Sequence, residues 1–354
     1  MIRVVIAEDS ATARALLVSL LSAEPDITVV GEARTGVEAV DMAERLHPDL
    51  VTMDVHMPEM DGIEATRQIM TRSPRPILVV SSVTSSDVEL SLDATRAGAL
   101  MVIAKPTGVG SPGFDGDRRQ LVSMVRALAQ VKVVRRHGAA SVGPLLTPAA
   151  RPAESHSMGA TSRLGFDVVA IAASTGGPAA LHTILSQLPA SFPLPILIVQ
   201  HIARGFTGGL AHWLAADTAL RIKLAELGEP VAAGTVFIAP DDRHLGVRRD
   251  VSGGLRIQLD NAPTIGTFRP SATYLFRSCA ETLREGVLAL ILTGMGDDGV
   301  EGLRHVHRAG GRILAQDESS SVIYGMPREA KLAGVVDQIV SLDSAARRLR
   351  ELAS

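Results

Sequence analysis

A single cysteine, Cys279, in 354 residues excludes an internal disulfide and a cysteine metal cluster. Aromatic residues are scarce too, at 3%. Because 46% of the chain is hydrophobic, its interior has to be built from Val, Ile, Leu and Ala, which suits parallel sheets covered by helices. Neither charge dominates. The formal net charge is -3, which argues against a dedicated nucleic-acid binder. No run reaches ~18 consecutive apolar residues, so no membrane insertion is expected. The opening M-I-R-V-V-I-A-E-D-S sets acids directly behind a short apolar run and is not a signal peptide. No G-x-x-x-x-G-K-S/T loop occurs, which disfavours a nucleotide-binding domain. A soluble cytoplasmic protein of about two domains is the simplest reading.

What the chain does have is a steady alternation of strand-like and helix-like segments. I-R-V-V-I-A, I-T-V-V-G, D-L-V-T-M-D, P-I-L-V-V-S-S and A-L-M-V-I-A-K read as strands. Helical spacing runs through A-T-A-R-A-L-L-V-S-L-L, G-V-E-A-V-D-M-A-E-R and D-V-E-L-S-L-D-A-T-R-A, and a further helix is predicted from Arg118 to Val134. Such alternation predicts a parallel sheet with helices on both faces. Residues 137–164 are rich in Pro, Gly, Ala and Ser without periodicity and read as a flexible linker. The expected division is a first α/β domain over 1–136, that linker, and a second α/β domain with a mostly parallel sheet over 165–354. The basic run V-K-V-V-R-R-H at 131–137 abuts the linker and reads as a solvated helix end.

Acids gather at the strand ends of the first domain. Glu8 and Asp9 close the first strand and Asp54 the third, and carboxylates so placed invite a hard cation such as Mg²⁺. Ser81 closes the fourth strand and Lys105 the fifth, where a hydroxyl and an ammonium can grip a phosphoryl group. Any one of these groups is most simply a solvated residue at a loop end. Five at strand ends form a pattern.

The second domain opens with an apolar run, D-V-V-A-I-A-A, then Ser174, Thr175, Gly176, Gly177 and Pro178, then a helix-like stretch. A hydroxyl there, at a strand's carboxyl end and a helix N-terminus, can attack a carbonyl or grip an anion. P-I-L-I-V-Q-H-I reads as a strand ending at His201, and A-L-I-L-T-G-M-G-D-D-G as a strand followed by Asp297 and Asp298. Serine, histidine and aspartate thus lie past strand ends on one rim, as a serine nucleophile needs. By composition alone His182, His212, His244, His305 and His307 are equally available, and a phosphate-cradling glycine turn is the competing reading of the S-T-G-G segment.

The first 130 or so residues resemble the response-regulator receiver domain through E-D-S, M-D-V-H-M-P-E-M-D-G, V-S-S and A-K-P. That resemblance implies a flavodoxin-like, doubly wound fold. It implies that Asp54 takes a phosphoryl group from a chemotaxis-type histidine kinase, and that Mg²⁺ sits on Glu8, Asp9, Asp54 and the His56 carbonyl. Ser81 and Lys105 would contact the phosphoryl oxygens. From about Asp167 onward the chain is similar to the catalytic domain of the CheB protein-glutamate methylesterases through A-S-T-G-G-P, I-V-Q-H, I-A-P-D-D-R-H-L, R-P-S-A-T-Y-L-F-R-S, L-T-G-M-G-D-D-G-V-E-G and Q-D-E-S-S-S-V-I-Y-G-M-P. This implies Ser174 as nucleophile, His201 as base, Asp298 as its orienting acid, and the backbone around Thr175 and Met295 as oxyanion donors. It also implies a substrate, glutamate γ-methyl esters on the cytoplasmic helices of chemoreceptors, with glutamine deamidation as a second activity and no cofactor for the hydrolysis. The unphosphorylated receiver is expected to cover the serine cleft. Four positions depart from the family pattern: Ala172, Ala203, Phe268 and Thr273. The competing class is a receiver joined to a non-catalytic binding module or phosphoryl sink.

Overall fold

The computed structural model describes all residues except 109, 112, 132 and 134–164, so the expected linker lies outside the described residues. The first half runs β1 (Ile2–Ala7), α1 (Ala11–Ser22), β2 (Ile27–Ala33), α2 (Gly36–Leu46), β3 (Leu50–Met53), α3 (Gly62–Arg72), β4 (Ile77–Ser81), α4 (Ser85–Ala97), β5 (Met101–Ala104) and α5 (Phe114–Leu128). Its five strands lie in the order β2-β1-β3-β4-β5, all parallel. This is the flavodoxin-like order, and its switch point falls between β1 and β3.

Two helices differ from the expectation. The sequence reading passed over α3, which follows a turn-rich segment. Asp61 starts it by accepting a hydrogen bond from the Glu64 N–H at 2.8 Å. α5 begins earlier than Arg118, where Asp115 and Asp117 complement the positive end of the helix. It stops at Leu128, before the β-branched Val131 and Val133.

The second half runs β6 (Val168–Ala173), α6 (Gly177–Leu185), β7 (Ile196–Gln200), α7 (Thr207–Ala216), β8 (Arg221–Leu224), β9 (Thr235–Ile238), β10 (His244–Arg249), β11 (Leu255–Asp260), α8 (Ala272–Leu283), β12 (Val287–Ile291), α9 (Val300–Arg308), β13 (Arg312–Gln316), α10 (Met326–Leu332), β14 (Gln338–Val340) and α11 (Leu342–Ala353). Seven of these strands form a parallel sheet in the order β14-β13-β12-β6-β7-β9-β8. β10 and β11 form a separate antiparallel ribbon. β6, β7 and β12 are buried along their whole length, as central parallel strands covered on both faces must be. The chain enters at β6 and winds outward in both directions. The switch point therefore lies between β6 and β12, and a crevice opens past their carboxyl ends.

The two halves pack on each other through α4 and α7. Val88 and Leu92 of α4 share one apolar cluster with Leu210 and Trp213 of α7. The Trp213 Nε1–H donates to Asp93 Oδ1 at 3.0 Å, and the Arg96 guanidinium lies 4.5 Å above the Trp213 ring while pairing with Asp217. Among the described residues no helix is long and apolar enough to cross a membrane.

Candidate active site

The acids of the first sheet meet at its switch point. Glu8, Asp9 and Asp54 each bring a carboxylate oxygen within 4.8 Å of the others. Lys105 Nζ reaches between them, donating to Asp54 Oδ2 at 2.9 Å and to Glu8 Oε1 at 3.0 Å. Glu8 Oε2 lies 2.9 Å from Lys105 Nζ and is buried without a hydrogen bond. Burial raises the pKa of both Glu8 and Asp54 despite Lys105, because desolvation disfavours the charged carboxylate. A divalent cation fits that donor set. Ser81 is fully buried beside it, its hydroxyl without a partner, as for a group that waits for an acceptor oxygen. His56 turns its side chain away, Nε2 lying 2.7 Å from Asp87 Oδ1 at the start of α4.

Three strand ends build the serine site. β6 and β7 pair with Ala173 opposite Gln200, so Ser174 and His201 leave the sheet side by side. The His201 N–H donates to Ala173 O at 2.9 Å. The Ser174 N–H donates to Thr293 O at 3.0 Å, which ties the serine to the end of β12. Close approach there requires glycine, since a Cβ on Gly294 would lie 2.7 Å from Ser174 Cβ.

Asp298 then faces the imidazole, with His201 Nε2–H donating to its Oδ2 at 2.9 Å. Three further donors converge on this carboxylate: Ser271 Oγ–H at 2.7 Å, Ala272 N–H at 2.7 Å and Thr273 N–H at 3.1 Å. The last two are the first free N–H groups of α8, where a negative charge is favoured. Burial alone would push the Asp298 pKa up. His201, Ser271 and the α8 N–H groups outweigh it and hold it at about 2. A carboxylate can only accept, so the His201 proton sits on Nε2. His201 Nδ1 is buried with no hydrogen-bond partner and is the nitrogen left to take a proton. No hydrogen bond joins it to Ser174 Oγ among the described residues. Serine–base hydrogen bonds often tighten only once substrate is bound.

Thr175 is buried, and neither its N–H nor that of Met295 donates to another group among the described residues. Met295 itself lines a neighbouring cleft with Asp297 and Tyr324, apart from the cavity that holds Ser174. Asp297 is exposed. The alternative histidines go elsewhere: His182 to Asp217, His212 to Glu89, His305 to Glu301, His244 into a stack on Tyr274, and His307 to the exposed side of α9. Two of the four departures touch the site. Phe268 stacks on His201 with centroids 4.0 Å apart and the planes 8° from parallel. Thr273 Oγ1 accepts from the Gly299 N–H at 2.8 Å and so secures the turn that carries Asp298. Ala172 and Ala203 are simply buried.

Sequence reasoning missed Ser271, Gln200 and Thr293. Only Ser271 had a readable signal, as a serine that opens an amphipathic helix. A cavity of about 880 Å³ lies over the site, lined by Ser174, His201 and Arg269 on one wall. Met101, Arg119 and Met124 of the first half line the other. Ser174 and His201 are only 7% and 9% exposed, and the first half roofs this pair. The Gly176 N–H, beside the serine, donates to Leu100 O just before β5 at 3.1 Å.

Residues 169–349 match the family model of the CheB methylesterase, and residues 4–111 that of the response regulator receiver domain. The chain is 54% identical over 348 residues to protein-glutamate methylesterase/protein-glutamine glutaminase 4 of Myxococcus xanthus, covering 98% of this chain and 96% of that one. It is 48% identical over 350 residues to the corresponding protein 3 of Anaeromyxobacter dehalogenans, covering 99% and 98%. The crystal structure of the Thermotoga maritima CheB methylesterase catalytic domain superposes with a TM-score of 0.52 at 38% identity, covering 53% of this chain and 99% of that one.

Proposed function

Since the chain belongs to the CheB methylesterase family and carries a receiver domain in front, we propose that Ser174, His201 and Asp298 are the triad of this protein-glutamate methylesterase and protein-glutamine glutaminase. The observation that carries the assignment is the His201–Asp298 pair, held by the α8 N-terminus at the strand end next to Ser174.

Ser174 Oγ attacks the γ-ester carbonyl and its proton passes to His201 Nδ1. The carbonyl oxygen gathers negative charge, which the unbonded Thr175 N–H meets, with the Met295 N–H, at the edge of the neighbouring cleft, as the second donor. One such donor is worth roughly 3 kcal/mol in a hydrolase from which it was removed. The imidazolium returns the proton to the leaving oxygen, and methanol departs. Water then attacks the acyl-serine while His201 takes its proton, releasing the glutamate carboxylate and restoring Ser174. With glutamine the same steps release ammonia. Asp298 stays ionised throughout, fixing the imidazole and offsetting its positive charge. The substrates are glutamyl esters and glutamines on chemoreceptor cytoplasmic helices. Methanol release from methyl-labelled receptor, with and without a phosphodonor, is the assay.

Asp54 is the phosphoryl acceptor, supplied by a chemotaxis-type histidine kinase. Glu8, Asp9 and Asp54 would hold Mg²⁺, whose charge offsets that of the added phosphoryl oxygens. Lys105 and the unpartnered Ser81 hydroxyl bind those oxygens. Ser81 sits three residues before Thr84, the N-cap of α4, so drawing it inward moves the helix that grips α7. A phosphodonor is expected to raise methanol release roughly a hundredfold, which needs about 2.7 kcal/mol of differential stabilisation. In Asp54→Asn the phosphodonor should leave the rate unchanged. A D54N protein that still responds would remove Asp54 from the switch.

The closed arrangement can also be loosened without phosphate. Asp93→Ala deletes the acceptor of the Trp213 N–H on the receiver side and leaves the catalytic half intact. Losing one such bond costs the closed state about 0.5–1.5 kcal/mol. Basal activity should rise roughly threefold to tenfold, measured without phosphodonor. An unchanged basal rate would mean that this contact does not restrain the enzyme.

A further inference from the structure

Gln200 closes β7, immediately before His201, and is 3% exposed. Its Nε2 carries two protons, and they go to two different carbonyls. One is accepted by Ser174 O at 2.8 Å and the other by His201 O, also at 2.8 Å. We propose that Gln200 is a positioning residue for the hydrolysis, setting the spacing of nucleophile and base and aiming the Thr175 N–H. This inference rests on the Ser174–His201–Asp298 reading.

The aim follows from the peptide plane. In a trans peptide the C=O and the next N–H point in opposite directions. Ser174 O is held on one side by Gln200 Nε2 and by the Gly177 N–H, both at 2.8 Å. The Thr175 N–H is therefore turned to the opposite side, away from Gln200, where no group of the described residues accepts it. An N–H held in advance and left free is what a developing oxyanion needs. The spacing follows from sharing. A single amide nitrogen grips the carbonyls of both residues, so neither can shift along its strand without breaking its bond to Gln200.

Two features argue against simple packing. Gln200 Oε1 is buried with no hydrogen-bond partner, a penalty that an apolar side chain of the same length would avoid. The chain keeps the amide nonetheless. The neighbouring turn is also cut to fit it, since a Cβ on Gly177 would fall 2.0 Å from Gln200 Oε1. The second glycine of S-T-G-G thus makes room for this amide.

The test is methanol release by the full chain, resolved into kcat and KM, for Gln200→Met and Gly177→Ala beside Ser174→Ala. Met keeps the length and removes both donors, whereas Ala at 177 leaves Gln200 in the chain, pushes its amide aside and also meets Ala173 Cβ at 2.9 Å. Each is expected to lower kcat roughly tenfold to a hundredfold, as small misplacements of reacting groups do. KM should stay within about twofold, because substrate binding is untouched. Full kcat in both variants, or a loss confined to KM, overturns the inference while leaving the serine reading intact provided Ser174→Ala is dead. An active Ser174→Ala overturns both together. Thermal midpoints accompany the kinetics. A kcat loss that only tracks the unfolded fraction assigns Gln200 to folding and likewise overturns the inference. Should Gln200→Met fail to fold, Gln200→Leu, which also removes both donors, takes its place beside Gly177→Ala.

Discussion

Ser174→Ala is expected to reduce methanol release by roughly a millionfold, the loss seen when a triad serine is removed from a well-studied hydrolase. The reasoning is local. Alanine keeps the Cβ that packs against Gly294 and keeps the N–H that bonds Thr293 O. The hydroxyl makes no hydrogen bond among the described residues, so its loss leaves no buried partner stranded. Stability should change by less than about 1 kcal/mol, and phosphorylation of Asp54 should proceed as before. Remaining turnover would come from oxyanion donors acting on water. The measurement is single-turnover release of labelled methanol from receptor, with thermal unfolding as the control for structure. Release within tenfold of the wild type would end the serine mechanism.

The two halves were unequally legible in the sequence. β6 could be read from V-V-A-I-A-A because a central parallel strand is buried on both faces and needs no alternation. α3 was overlooked because it sits behind P-E-M-D-G, which reads as a loop, and its start depends on the Asp61 cap. The β10–β11 ribbon has period-two alternation in L-R-I-Q-L-D, but a sheet expected to be mostly parallel gave no reason to look for it. At the site, residue chemistry offered many histidines, strand-end placement pointed to His201, and the resemblance strengthened that choice. The structure brings that residue onto Asp298 and sends His182, His212 and His305 to surface carboxylates.

The supporting shell was invisible for a physical reason. Gln200, Ser271 and Thr293 act through the particular carbonyl or carboxylate that lies near 3 Å, and pairing between distant strand ends leaves no periodic trace. Thr293 shows this well. Its hydroxyl donates to Thr175 O at 2.9 Å, across 118 residues of chain. Phe268 was noticed only as a departure. Its stack on the imidazole gives one of the scarce aromatics a place beside His201 rather than in a core.

Asp298→Asn is expected to cost about 10⁴ in kcat and measurable stability as well. The carboxylate accepts from four donors: the His201 ring, the Ser271 hydroxyl and two N–H groups of α8. An asparagine offers one oxygen and one NH₂ in the same space. If the NH₂ faces His201, the ring must accept at Nε2 and carry its proton on Nδ1, and the nitrogen meant to receive the serine proton is already protonated. If it takes the Oδ1 place instead, it meets the Ser271 hydroxyl and the Thr273 N–H, and a buried N–H left unpaired costs about 1–3 kcal/mol. Either orientation removes the charge that offsets the imidazolium. The pH dependence separates this charge from the geometry. Asp298 is depressed from 3.8 to about 2, so its contribution to stability is complete above about pH 4 and is lost as pH falls toward 2. Urea unfolding of the wild type should show that loss over this window. In Asp298→Asn, which has no proton to gain, the same window should be flatter by one titrating group. Activity of the variant within tenfold of the wild type at neutral pH would mean that His201 needs no anionic partner, and the triad would shrink to a serine–histidine pair.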